Sequence, residues 1–349
     1  MYTVRAGIIE PDVAICQVIG VVSPAKMCHI LVTMRTVSTD DFSRPLADRS
    51  VVTIGNFDGV HRGHREIFRQ VAALSAATLT TSIAVTFDPH PLRVLRPDDR
   101  RFSLITTGEQ KRELIAESDI DLLLVIPFTP SFAAVSADQF VRRVLHDCLG
   151  VRYLVIGHDY AFGKGREGNE PFLIRMGQEL GFEITVLEPV GDGGLLFSSS
   201  AVRQLVTRGA VADALQILGR CHRISGQVIH GREIGRSLGF PTANITTHNE
   251  LIPCDGVYAV WVSVLGEMFM GACSIGINPT FGGDQHTIEV FLFDFEGDLY
   301  GRELVIHFVE KLRDVARFPD AVTLMARISE DVATSRRILA AGLPVEPRR

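Results

Sequence analysis

The 349-residue sequence predicts two domains in series: an α/β domain on a parallel sheet, then a small antiparallel β-barrel with a closing helix. Three observations predict it. Up to about residue 190, short apolar runs alternate with amphipathic stretches at the spacing of strand–helix–strand units. After about residue 220, short alternating segments broken by Gly and Asp turns take over. The length itself admits two cores of ordinary size.

In the first domain, residues 51–55, 83–87, 122–126, 153–157 and 183–187 are the apolar runs read as strands. Residues 64–79, 106–117, 136–149 and 169–180 are the helices between them. Thr106-x-x-Glu109 and Ser136-x-x-Gln139 have the form of capping boxes, which satisfy orphan N–H groups at a helix entry. A parallel sheet covered on both faces binds ligands beyond the carboxyl ends of its strands.

In the second domain, residues 224–230, 257–264, 268–275, 288–295 and 303–308 read as antiparallel strands, and 320–339 as the closing helix. The domains meet near Gly219-Arg220. The expected divisions are an N-terminal extension over 1–49, a first domain over 50–219, a second over 220–340 and a tail over 341–349.

A net charge of −6 argues against a general nucleic-acid binder. The six cysteines are scattered, with no Cys-x-x-Cys pair, which excludes a zinc ribbon and gives no disulfide framework. A reducing cytoplasm is the expected location. The apolar segment over 13–22 is too short to span a bilayer and follows Glu10 and Asp12, so it is not a signal peptide, and no membrane partner is expected. Met34 offers an alternative start, so residues 1–33 are expected to be dispensable and an over-called start.

The motif Gly55-Asn56-Phe57-Asp58-Gly59-Val60-His61-Arg62-Gly63-His64 joins the first apolar run to the first helix. A helix N-terminus has free N–H groups and the positive end of its dipole, so it favours phosphate. Imidazoles three residues apart share one face of the first turn, and Gly63 leaves room between them. Such a pair suits holding a triphosphate while its α-phosphorus is attacked.

Three clusters leave the same sheet edge. Thr86-Phe87-Asp88-Pro89-His90-Pro91 reads as a stiff turn shaping a pocket wall. In residues 157–166, Lys164 and Arg166 can offset phosphate charge among glycines that admit close approach. Ser198-Ser199-Ser200 opens another helix with Arg203 one turn in, a second phosphate grip. Donors from two helix starts fit nucleotidyl transfer better than binding of an intact nucleotide.

The second half has its own motif over residues 231–244, ending Gly239-Phe240-Pro241-Thr242-Ala243-Asn244. No Gly-Lys-Ser/Thr follows, so it is not a P-loop. Its glycines can bring backbone donors to phosphates, and the Thr242 hydroxyl with the Asn244 amide oxygen can reach a hard cation. Downstream lie Asn278-Pro279-Thr280-Phe281 and Glu289, which alternates with Ile288 and Val290. Spacing leaves open whether Glu289 points into a barrel mouth or outward into solvent.

The loop over 55–64, the loop over 157–168 and the helix start over 198–203 together resemble the adenylyltransferase half of bacterial bifunctional riboflavin kinase/FAD synthetases. Residues 231–244 resemble the riboflavin kinase signature of the same family, and the likeness spans about residues 50–340. The family's helix start reads Ile-Ser-Ser-Thr-x-Ile-Arg; here Phe197, Ser200 and Val202 depart from it, while a hydroxyl at 200 and Arg203 remain. Class I aminoacyl-tRNA synthetases share a histidine pair but require a lysine-rich loop and a longer chain, and neither is present.

The resemblance implies a Rossmann-like nucleotidyltransferase domain and a kinase barrel. They would convert riboflavin with ATP to FMN, then FMN with a second ATP to FAD and pyrophosphate. It implies Glu289 as general base, with His61 and His64 catalytic in the first domain. Nucleotide would be held by Gly55, Asn56, Phe57, Asp58, Gly63, Asp159, Lys164, Arg166, Ser199, Ser200 and Arg203, and in the barrel by Gly235, Gly239 and Pro241. Mg²⁺ would sit on Thr242 and Asn244. Residues 294–302 and Leu312-Arg313 would shape the fold and flavin pocket. Two alternatives stand beside this reading: a kinase whose first domain is degenerate or differently specific, and a flavin-sensing binding protein.

Overall fold

The structure, a computed structural model, describes residues 34–158, 160–231, 239–277 and 286–343. Residues 1–33, Asp159, Gly235 with the rest of 232–238, Asn278-Pro279-Thr280-Phe281 and 344–349 lie outside the described residues.

The first domain is a six-stranded parallel sheet. Its strands are β1 (Arg35–Ser38), β2 (Ser50–Ile54), β3 (Thr81–Asp88), β4 (Leu122–Pro127), β5 (Val151–Gly157) and β6 (Glu183–Leu187). They stand in the order β1-β4-β3-β2-β5-β6. Strand order reverses at β2, so the carboxyl ends of β2 and β5 border a crevice. Apolar side chains cover both faces, Val52, Ile83 and Leu124 on one side and Val51, Ala84 and Leu123 on the other. That is why the inner strands β2 to β5 read as apolar runs.

One expectation is corrected here. Arg35–Ser38, assigned to the extension, pairs in parallel with Leu122–Val125 and belongs to the sheet. It is an edge strand with mostly exposed side chains, so it carries no apolar run.

Helices α1 (Arg62–Thr78), α2 (Pro91–Leu95) and α3 (Gly108–Ala116) follow β2 and β3, and α4 (Pro130–Ala133) and α5 (Ala137–Phe140) follow β4. α5 has the predicted Ser136–Gln139 capping box and continues as a π-helical stretch, Val141–Cys148, where one α-helix was expected. The other box is shifted by one residue. Thr107 caps α3 with Gln110, because the Thr106 hydroxyl is engaged at 3.2 Å by Asp58. After α6 (Glu170–Leu180) and a hairpin, β7 (Gly191–Asp192) and β8 (Leu195–Leu196), come α7 (Ser199–Thr207) and α8 (Val211–Leu218).

The second domain is a closed antiparallel barrel ordered β10-β13-β12-β11-β14-β9. Its strands are β9 (His222–Ile229), β10 (Ala243–Thr247), β11 (Gly256–Val264), β12 (Glu267–Ile277), β13 (His286–Leu292) and β14 (Glu303–Arg313). Val260, Val262, Cys273, Ile275, Val290 and Phe308 fill the interior. The closing helix α9 (Ala321–Leu339) covers the outer wall over Ala259, Trp261 and Met270. Arg313 grips Asp331 of α9 at 2.6 Å, a fold-holding role for one of the residues the resemblance singled out.

The domains are joined by polar contacts. Gln110 of α3 donates to Ser225 of β9 at 3.0 Å and accepts from Asn249 at 2.9 Å. Arg223 pairs with Glu113 at 2.6 Å. No helix among the described residues is long and apolar enough to cross a membrane.

Candidate active sites

The turn leaving β2 is wound through three positive φ angles, at Phe57 (49°), Gly59 (81°) and Val60 (38°). It delivers His61 to the N-cap of α1, where Nδ1 accepts from the His64 backbone N–H at 3.3 Å. The two imidazoles stack with centroids 3.6 Å apart. A Cβ on Gly63 would lie 3.1 Å from the His61 ring, so this glycine makes room for the histidine itself.

Because the His61 Nδ1 accepts, its neutral proton sits on Nε2. Burial, helped by Arg220 and Arg203, pushes the His61 imidazole down to about 3. Burial, then His61, Lys111 and Arg220, hold His64 well below its ordinary value. Both shifts favour the neutral imidazole at physiological pH. The buried His64 Nδ1 has no partner among the described residues.

The histidines open onto a cavity of about 960 Å³ at the crevice over β2 and β5. Gly55, Asn56, Phe57 and Gly63 line it beside them, Lys164 and Arg166 come from the loop after β5, and Ser199, Ser200 and Arg203 come from the start of α7. Ser198 caps α7 by accepting from Ala201 N–H at 3.2 Å. Phe87, His90 and Pro91 form part of the wall, as the Thr86–Pro91 turn predicted. His90 caps α2, and burial pushes its imidazole down to about 4. The far wall is aromatic: Phe128, Phe132, Phe140, Tyr160 and Phe162 meet at centroid distances of 5.2–6.1 Å. Burial raises the Tyr160 phenol, whose hydroxyl has no partner among the described residues.

Asp58 is corrected. It was expected to touch nucleotide, but it is buried and does not line the cavity. Its carboxylate accepts from Ile105 N–H at 3.1 Å, from Thr106 N–H at 3.2 Å and from Arg203 Nη2 at 2.5 Å. Its backbone carbonyl accepts from Ser199 Oγ at 2.8 Å. Asp58 therefore orients Arg203 and knits the histidine turn to α7.

Two cations escaped the sequence reading. Lys111 donates to the carbonyls of Asn56 (3.4 Å) and Phe87 (3.1 Å) and to Thr86 Oγ1 (3.2 Å). Arg220 donates to the carbonyls of Gly59 and Val60. Carbonyl acceptors leave no mark on residue type, so only the position of Lys111 beside the buried Gln110, Leu114 and Ile115 of α3 hinted at a turned-in cation.

The second site stands on the barrel. β10 and β13 set Asn244 directly opposite Glu289, with Ser274 of β12 opposite Glu289 on its other side. Thr242 Oγ1 donates to Glu289 Oε2 at 3.3 Å. Ile288 and Val290 enter the interior, so Glu289 lies on the outer face, half-buried, and not in a barrel mouth. Gly231 gives way to Asn244: a Cβ there would sit 2.0 Å from the amide nitrogen. Gly239, at φ 83°, and Pro241 lead the chain into Thr242. The Thr242 hydroxyl and the Asn244 amide oxygen are neutral hard-oxygen groups of the kind Mg²⁺ accepts. No group of three or more His, Cys, Asp or Glu among the described residues could hold a metal. A cation here would complete its shell with phosphate and water oxygens.

Comparison with known proteins matches each half of the chain to a family. Residues 43–201 match the FAD synthetase family and residues 218–339 the riboflavin kinase family. The bifunctional riboflavin kinase/FMN adenylyltransferase of Escherichia coli K12 is 38% identical, over 84% of this chain and 94% of that protein. The Pseudomonas fluorescens protein of the same description is 37% identical, over 85% and 95%. A Streptococcus pneumoniae crystal structure described as a macrolide-efflux protein matches with TM-score 0.80 and 28% identity, over 87% of this chain and 99% of that one.

Proposed function

The chain belongs to the bifunctional riboflavin kinase/FMN adenylyltransferase family, and from that premise we propose how its residues divide the two reactions. It phosphorylates riboflavin to FMN and adenylylates FMN to FAD, each time with ATP.

In the barrel, Glu289 takes the proton of the ribityl 5′-hydroxyl as that oxygen attacks the γ-phosphorus of ATP. Thr242 and Asn244 would hold Mg²⁺, which supplies neutralisation of phosphate charge when bound. Thr242, donating to Glu289, also fixes the direction of the carboxylate. Gly239 and Pro241 set the turn that brings this hydroxyl to the site.

In the first domain, the FMN phosphate attacks the α-phosphorus of ATP and pyrophosphate leaves. The nucleophile is already anionic, so no base is needed, and the work is positioning and charge stabilisation. His61 and His64 give neutral N–H donors, α1 and α7 present their N-termini, and Lys164, Arg166 and Arg203 neutralise phosphate. The aromatic wall from Phe128 to Phe162 offers the flat surface an isoalloxazine ring stacks on. The partners are thus small molecules. The four cysteines among the described residues are all free, which supports a cytoplasmic location.

The observation that carries the division is the separation of the chemistry. The stacked histidines lie at the sheet edge of one domain, and the Thr242–Glu289 contact on the outer wall of the other. Product chromatography after incubation with ATP, Mg²⁺ and either riboflavin or FMN tests it. FMN followed by FAD from the first mixture, and FAD from the second, is the expected result. FMN alone would point to a first domain of different specificity, and no product to a flavin-binding protein.

A further inference from the structure

Arg220 lies between α8 and β9, the strand that runs on to the Gly231 turn of the kinase site. Its guanidinium turns the other way, into the first domain. Nη2 donates to the Gly59 carbonyl at 2.6 Å, and Nη1 to Val60 at 3.1 Å and Leu218 at 3.3 Å. The buried Nε has no partner among the described residues. Burying a guanidinium is costly unless hydrogen bonds offset it, and here burial pulls it down to about 9.

Two of the three carbonyls it takes belong to the residues immediately before His61, Gly59 and Val60. Lys111 takes the Asn56 carbonyl of the same turn. The turn is thereby held by two cations through its oxygens, while His61 and the N-terminus of α1 face the cavity. We propose that Arg220 is a positioning residue for adenylyl transfer, contributed by the segment that opens the barrel: it fixes the backbone that sets the His61–His64 stack. This rests on the reading of the histidine turn as the adenylyltransferase centre.

Arg220 also adds positive potential behind both imidazoles. The charged groups acting on His61 are Arg220 and Arg203, and those acting on His64 are His61, Lys111 and Arg220. Arg220 itself feels Arg65, Arg223 and Glu117. Removing its charge lets the histidines protonate at higher pH, whereas a lysine keeps the charge but loses the two-carbonyl fork.

The test compares Arg220→Met, Arg220→Lys and His64→Ala in the full-length protein, following FMN and FAD formation separately. In Arg220→Met, kcat for FAD formation should fall about tenfold or more, and the acid limb of its pH profile should move to higher pH. In Arg220→Lys the rate should fall while the limb stays in place. FMN formation should remain within about twofold in both, which also reports that the variants fold. FAD formation and its pH profile unchanged in Arg220→Met, with His64→Ala inactive, would overturn the proposal. FAD formation intact in His64→Ala would instead overturn the reading of the turn. Loss of both activities in both arginine variants would also overturn the proposal, because Arg220 would then hold the fold rather than the turn.

Discussion

Asp58 and Arg203 meet at 2.5 Å in an ion pair whose carboxylate is buried and whose guanidinium is half-buried at the cavity, although 145 positions separate them in the chain. The pair ties the histidine turn to α7, so the two halves of the phosphate grip share one strut. Breaking a fully buried pair typically costs about 3–5 kcal/mol, which is an upper bound here because Arg203 reaches the cavity. Asp58→Ala should therefore lower stability measurably, by less than that amount, in urea unfolding. Asp58→Asn should cost less, because its amide oxygen can still accept from Ile105 and Thr106. It should slow FAD formation about tenfold and leave FMN formation alone. Equal loss of both activities in a folded Asp58→Asn protein would refute this assignment.

His64 carries the prediction for the first site. It is half-buried, held toward its neutral form and stacked on His61, with a buried Nδ1 that no described residue engages. Losing one donor to developing charge commonly costs 10²–10³ in rate. His64→Ala should reduce FAD formation by about that factor. FMN made from riboflavin should be unaffected. A variant that loses FMN formation as well would contradict the separation of the sites.

Much of this was legible in the sequence, and what was not has physical reasons. Strands β2 to β5 were visible because sheet burial demands apolar runs, and the serine start of α7 because a cap needs a hydroxyl. β1 was hidden because it is a polar edge strand. The α3 cap was misread because Asp58 claims the Thr106 hydroxyl, a contact across 48 positions. Asp58 itself looked like a ligand because a loop carboxylate beside glycines has the same residue pattern whether it faces a pocket or a buried arginine. The face of Glu289 depends on how the barrel closes, which alternation cannot supply.

Glu289 carries the prediction for the second site. Asn244 opposite it and Thr242 at 3.3 Å hold the carboxylate on the outer barrel wall. Loss of a general base typically costs 10²–10⁴. Glu289→Gln keeps the shape and removes the base, so FMN formation should drop in about that range while supplied FMN is still converted to FAD. Kinase activity surviving in Glu289→Gln would assign the base elsewhere.

Buried neutral histidines predict how stability depends on pH. Burial holds His61 at about 3 and His90, His222 and His307 at about 4, all below the unfolded value of 6.5. Between those limits the unfolded chain binds more protons than the native one, so stability rises with pH. It is complete above about pH 6.5 and is lost as pH falls toward 4. His222, 1% exposed with Nε2 3.0 Å from the Leu251 carbonyl, should alone account for roughly 3 kcal/mol at pH 4. The carboxylates held low by partners, such as Asp320 and Asp294, start below this window and lose their contribution only at lower pH. His222→Gln keeps a donor for Leu251 but cannot charge. Its urea midpoint should therefore fall less steeply between pH 6.5 and 4 than that of the wild type. Parallel slopes for the two proteins would show that His222 does not titrate on unfolding in this range.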